Sequence, residues 1–277
     1  MKLTKFEDIV QHNIDSIKEA SACVEKFYNL LGMEYSTEIK NISQVVWPLF
    51  FKKQFIIIQL PLKDKEIGAF CFKGNHDSGY VILNSSLSPY NVNFALMHEV
   101  CHVCVNDDIA SNNVEMFLDD TYSEHEEERL ANQFAGMILL PEGHLRRMYE
   151  KFTSETSKND SKDELQLSIV VCKLMSYFEA PYIAVLIRLR EIGLIEADED
   201  LVKCLRLKKE DIEDIYNRCW LDLTALQPSY RDDYLRLEQL LGKIAKENIE
   251  EEFMYEADAR EALENISKIY RQLREDR

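Results

Sequence analysis

The sequence predicts an α+β fold that is mostly helical, with one small sheet. Three observations predict it. Glycine and proline are scarce, at 8 and 6 of 277 residues, so tight turns are few. Short β-rich runs are confined to residues 54–84. Elsewhere the apolar residues recur at helical spacing. At 46% hydrophobic residues, the chain can fill a sizeable core.

Taken in order, residues 3–31 place Phe6, Ile9, Ile14, Ile17, Ala20, Val24, Phe27, Leu30 and Leu31 on a helical stripe, and Gly32 is a natural C-terminal stop. "QFIIIQL" (54–60) reads as a buried strand. "GAFCFKGNHDSGYVILN" (68–84) reads as two strands around a turn with Gly74, Asn75, Asp77 and Gly79. Ser88, Pro89 and Asn91 introduce the next helix. Another helix runs from about Ser123 to Leu140, opened by a Ser123–Glu126 capping box and stopped by Pro141. The polar stretch 154–162 reads as a linker. Residues 164–195 give two apolar helices, 196–200 an acidic break, and the remainder long helices with charged outer faces. The expected division is a core at 1–153, a helical subdomain at 154–200 and a helical C-terminal region at 201–277.

The formal net charge is −17. Such a balance argues against direct binding of nucleic acid or an anionic membrane and favours basic partners, although it also serves simple solubility. Seven scattered cysteines do not form a secreted disulfide framework. The N-terminus carries no apolar signal core, and no apolar run approaches the roughly 20 residues of a membrane span. The expected location is the cytoplasm, with reduced thiols.

The chemistry concentrates in "NFALMHEVCHVCV" (93–105). On a helix, residues four apart lie about 40° apart around the axis, one turn along. His98 and His102 therefore project side by side and can reach one tetrahedral zinc ion. Glu99 is displaced from that pair and is placed to hold the attacking water as general base. The same stretch also reads as the apolar face of a buried helix, and the pentapeptide alone leaves both readings open. Cys101 and Cys104 lack a second pair and read as small core residues, Cys101 being the one placed to border the site.

A third ligand must come from elsewhere. Glu124, His125, Glu126, Glu127 and Glu128 are the candidates in the following helix. Its buried face holds Ala131, Phe134, Ala135 and Ile138, and Glu128 falls in line with them. Asn132, one turn on, is then placed to hydrogen-bond a ligand histidine. Glu126 is engaged in the capping box, Glu124 and Glu127 suit a solvated acidic face, and His125, in the first turn, stays open as a ligand although its position favours exposure.

These two stretches, "NFALMHEVCH" and "EERLANQFAGMILLP", resemble the ImmA/IrrE metallo-endopeptidase family. The matching residues are Phe94, His98, Glu99, His102, Glu128, Ala131, Asn132, Phe134, Ala135 and Pro141, over about 80–141. Cys101 stands where the family commonly has glycine. The family's frequent N-terminal helix-turn-helix has no counterpart in residues 1–50, and residues 201–277 match nothing in it. The resemblance implies a thermolysin-like zincin helix pair behind a small sheet. It also implies one Zn²⁺ per chain, and peptide hydrolysis in a protein substrate, a DNA-binding transcriptional repressor of a mobile element or stress response. His98, His102 and Glu128 would be the ligands, Glu99 the base and Asn132 the supporting residue. The strand carrying Tyr80, Val81, Ile82 and Leu83 could be an edge that pairs with an extended substrate, or an ordinary interior strand. A donor for the oxyanion is not identified, although Tyr122 is near in sequence. The competing class is a non-catalytic regulator on the same fold, acting through its C-terminal helices.

Overall fold

The computed structural model describes residues 1–73, 78–106, 126–159 and 166–274. Among them the chain is α+β, predominantly helical, with one three-stranded sheet.

The N-terminal stripe folds as two helices, α1 (Leu3–Asp15) and α2 (Ile17–Leu31), broken at Ser16. Nothing in the apolar spacing announces that break, because the stripe runs through it. Gly32 closes α2 in the left-handed conformation at φ 66°. The amide of Met33 reaches back to the carbonyl of Tyr28, the closure that favours glycine there. α3 (Ile42–Lys52) leads into β1 (Phe55–Leu60), β2 (Ala69–Lys73) and β3 (Gly79–Asn84).

The strand order is β1-β3-β2. β3 pairs in parallel with β1 and antiparallel with β2. It is the middle strand, so the edge role considered for Tyr80, Val81, Ile82 and Leu83 is corrected: both ladders of β3 are taken up within the sheet. The turn at 74–77 lies outside the described residues.

α4 (Pro89–Val100) begins as its residues dictate. Pro89 occupies the first turn and the Ser88 hydroxyl accepts from the amide of Asn91. The helix then widens into a π-helical turn, Cys101–Val105. α5 (Glu126–Leu139) follows, its start and the capping-box residue Ser123 lying outside the described residues. α6 (Glu142–Asn159) carries helix through 154–159, so that part of the expected linker is structured. α7 (Gln166–Phe178) and α8 (Tyr182–Glu191) are the expected apolar pair. The acidic break at 196–200 contains a helix start: the Asp198 carboxylate accepts from the amides of Asp200 and Leu201 and opens α9 (Glu199–Arg206). α10 (Lys209–Arg218), α11 (Tyr234–Glu250) and α12 (Glu256–Leu273) complete the chain. Among the described residues no single helix is long and apolar enough to cross a membrane. The α7–α8 pair, bent by 106°, passes such a test only jointly, and both helices are largely buried in the core.

The strand alternation divides the core. Phe55, Ile57, Val81, Leu83 and Ala69 face the main core with α1 to α10. Ile58, Leu60, Ile82, Leu62 and Ile67 form a smaller cluster on the opposite face, covered by Tyr234 and Leu237 of α11 and Tyr270 of α12. The last two helices therefore cap the sheet, and the Leu273 carbonyl accepts from the Lys63 amide at 2.8 Å.

Candidate metal centre

α4 and α5 pack against each other beneath the sheet. Leu96, Met97 and Val100 of α4 and Ala131, Phe134 and Ala135 of α5 are each at most 1% exposed and belong to the main core. Ala131 and Ala135 have no bulk beyond Cβ, so polar side chains on the two helices can meet. His98 and Glu99 from α4, and Glu128 from α5, are themselves buried at 8%, 2% and 3% exposure. Buried ionisable groups without partners would cost several kcal/mol each, on the order of magnitude known for such groups. His98 and Glu128 have partners.

His98 Nε2 lies 2.9 Å from one Glu128 carboxylate oxygen, and His102 Nε2 lies 3.1 Å from the other. The two Nε2 atoms are 3.0 Å apart. Two donors each about 2.0–2.1 Å from one tetrahedral cation lie roughly 3.3 Å apart. The three side chains converge at close to that spacing, and together they could hold a metal ion. On its other side His98 Nδ1 meets Asn132 Oδ1 at 2.9 Å. In the neutral ring that a metal requires, that contact would take the proton on Nδ1 and turn the Nε2 lone pair toward the cluster. His102 belongs to the π-helical turn, where the Asn106 amide bonds the Cys101 carbonyl five residues back. Such turns recur at functional sites.

The charges are linked. Burial would raise the Glu128 carboxyl, but hydrogen bonds from His102 and His98 outweigh it and bring it down to about 2. Burial would lower His98, but the Glu128 hydrogen bond and the charges of Glu99 and Glu128 leave it raised. Glu99 is pushed up by burial, against the pull of His98 and His102. A poised, buried carboxyl beside a three-donor cluster is the arrangement a general base requires.

The other expectations can be placed. Glu126 and Glu127 are exposed. Glu124, His125 and Tyr122 lie outside the described residues. Cys101 and Cys104 are buried and form no disulfide. The Cys23 thiol of α2 hydrogen-bonds Asn106 Oδ1, at the end of the same π-helical turn, at 3.6 Å. Gln133, which no motif marked, is buried at 3% and bonds back to the N-terminal helices. Its signal in the sequence is a polar residue set inside the apolar run from Ala131 to Ile138.

A small sheet packed on a helix pair that offers two histidines and a glutamate to one cation defines a metallopeptidase-type domain. Residues 54–190 match the family model of the IrrE N-terminal-like domain, peptidase M78. Those residues carry a domain of this ImmA/IrrE family, as the two motifs within it indicate. The match runs from the start of the sheet to the end of α8 and leaves α1–α3 and α9–α12 outside it. No curated protein matches the chain.

Proposed function

We propose that the protein is a zinc-dependent endopeptidase acting on a protein substrate. The observation that carries the reading is the convergence of His98, His102 and Glu128 at about 3 Å spacing in a buried site, with Glu99 beside them. Two imidazoles and one carboxylate suit zinc, and three protein ligands leave a position open for catalysis. A bound zinc ion would act as Lewis acid, polarising the scissile carbonyl and making water more acidic.

The chain's own residues then divide the work. His98, His102 and Glu128 would hold the ion. Asn132 fixes the ring of His98. Glu99 takes the proton of the attacking water and later delivers it to the leaving amine. With β3 interior, β1 and β2 are the two edges; Gln59 of β1 is already bonded to Asp233, so β2 is the better candidate to align an extended peptide. The substrate class assigned is a DNA-binding repressor. The family resemblance supports it, and the net charge of −17 suits a basic partner. Cytoplasmic placement belongs to the same reading, supported by seven cysteines of which none is in a disulfide.

The test is to purify the chain and measure bound zinc, then co-express it with candidate repressors and compare it with Glu99→Gln. Stoichiometric zinc and cleavage by the wild type alone are expected. Protein without stoichiometric zinc, with stability indifferent to chelator, would sink the enzyme reading in favour of a non-catalytic regulator.

A further inference from the structure

The N-terminal helices lie outside the matched family domain, yet they reach the helix that supplies Glu128. At the break between α1 and α2, the Gln133 amide donates to the Asn13 carbonyl at 2.6 Å. The Ser16 hydroxyl lies 2.9 Å from Gln133 Oε1 and also 2.9 Å from the His12 carbonyl. Asn13 in turn donates to Glu191 at 2.5 Å, and Glu191 pairs with Arg188 at 2.8 Å. Asn13, Gln133 and Arg188 are all buried. A polar chain thus runs from α8 through the α1–α2 joint to α5, ending one residue from Asn132.

The chain matters because, beyond the contacts of Glu128 and Asn132 to the histidines and of Arg129 Nη1 to His12 Nδ1 at 3.4 Å, the packing of α5 is largely apolar. Ala131, Phe134 and Ala135 are buried, and Phe134 meets Phe27 of α2 edge-on at 5.7 Å between ring centres. Apolar burial is non-directional and resists rotation of a helix about its axis only weakly. Hydrogen bonds have preferred angles and do resist it. A rotation of about 10° moves an atom roughly 6 Å from a helix axis by about 1 Å. Metal–ligand distances hold to about 0.2 Å. Small rotations of α5 would therefore spoil the approach of Glu128 to both histidines.

We propose that Gln133 is a positioning residue for the metal centre: held by Asn13 and Ser16, it fixes the rotation of α5 and so the places of Glu128 and Asn132. This rests on the metal-centre reading above. The α1–α2 joint is then part of the site's framework, although it contributes no ligand.

The test uses the full chain and two variants. Gln133→Met keeps length and volume and removes both bonds; Ser16→Ala removes one and leaves the Asn13 bond. Zinc affinity is measured by competition with a chromophoric chelator, and the site is probed by the visible bands of bound Co²⁺. Loss of a supporting hydrogen bond costs about 10–100-fold in metal affinity. The expected result for Gln133→Met is a weakening of about tenfold with altered Co²⁺ bands, and for Ser16→Ala a smaller weakening in the same direction. Lower thermal stability of metal-free Gln133→Met, with wild-type zinc affinity and wild-type Co²⁺ bands, would overturn the proposal and leave a structural bond only. If Gln133→Met fails to fold, Ser16→Ala decides, and unchanged affinity and bands overturn it. Wild-type protein that binds neither ion defeats the metal-centre reading itself, and this inference with it.

Discussion

Asn132 Oδ1 stands 2.9 Å from His98 Nδ1, one helical turn beyond Glu128 on the same face of α5. One helix therefore supplies both a candidate ligand and the group that orients another ligand. Asn132→Ala removes the acceptor and frees the imidazole to rotate or change tautomer. Zinc affinity should fall by about 10–100-fold, read by chelator competition. Asn132→Asp restores an acceptor and should recover most of the loss. Equal affinities for wild type and Asn132→Ala would show that the contact does not support the ligand.

Glu99 is not among the three converging donors, so its substitution should separate binding from chemistry. Glu99→Gln keeps the shape and removes the proton acceptor. Bound zinc should stay stoichiometric while cleavage of a cognate protein falls by about 10²–10⁴-fold, the usual worth of a positioned base. Cleavage at near wild-type rate would mean that another group takes the proton.

The helices and the site were legible in the sequence to different depths. The His98–Glu99–His102 spacing and the inward placement of Glu128 follow from helical periodicity, which a buried helix pair obeys closely. Gly32, Pro89 and Pro141 marked boundaries because each acts through its own backbone. The sheet order was not legible. β3 is as apolar as an edge strand backed by a helix would be, and pairing partners are non-local. The break at Ser16 was hidden for a related reason: α1 and α2 both continue one stripe, and the turn is held by Gln133, more than a hundred residues away. The role of α11 and α12 was hidden in the same way, since Leu237 and Tyr270 cover a sheet far from them in sequence.

The metal's contribution to stability should depend on pH. Without metal, the site is held by ionised Glu128 against protonated histidine. Glu128 is lowered from its ordinary 4.5 to about 2, so its stabilisation is present above 4.5 and lost as pH falls toward 2. His98 is raised above its ordinary 6.5, so its share is present below 6.5 and lost as pH rises through the raised value. The metal-free site thus contributes most between about 4.5 and 6.5. A cation needs neutral imidazoles and competes with those protons. The rise in melting temperature on adding zinc should therefore grow from pH 5.5 to pH 8. A rise that is constant with pH would show that the histidines are not the ligands.

The C-terminal helices should prove necessary to the domain despite lying outside the family match. The rings of Tyr234 and Tyr270 stack at 3.8 Å and 5°, and Tyr270 donates a short hydrogen bond to Asp232. The amide of Asp233 bonds the Gln59 carbonyl of β1 at 2.9 Å. Together these hold α11 and α12 over Ile58, Leu60 and Ile82. Ending the chain at residue 200 uncovers that face, and it also removes Ile215 and Tyr216 from the main core. An uncovered apolar sheet face invites association. The shortened chain should be largely insoluble or bind a hydrophobic dye, and should lose its sharp thermal transition. The milder Tyr270→Ala removes the stacking, worth about 0.5–1.5 kcal/mol beyond burial, and should lower the melting temperature while leaving zinc affinity unchanged. A soluble chain of residues 1–200 with the full-length melting temperature would instead establish the C-terminal helices as a separable unit.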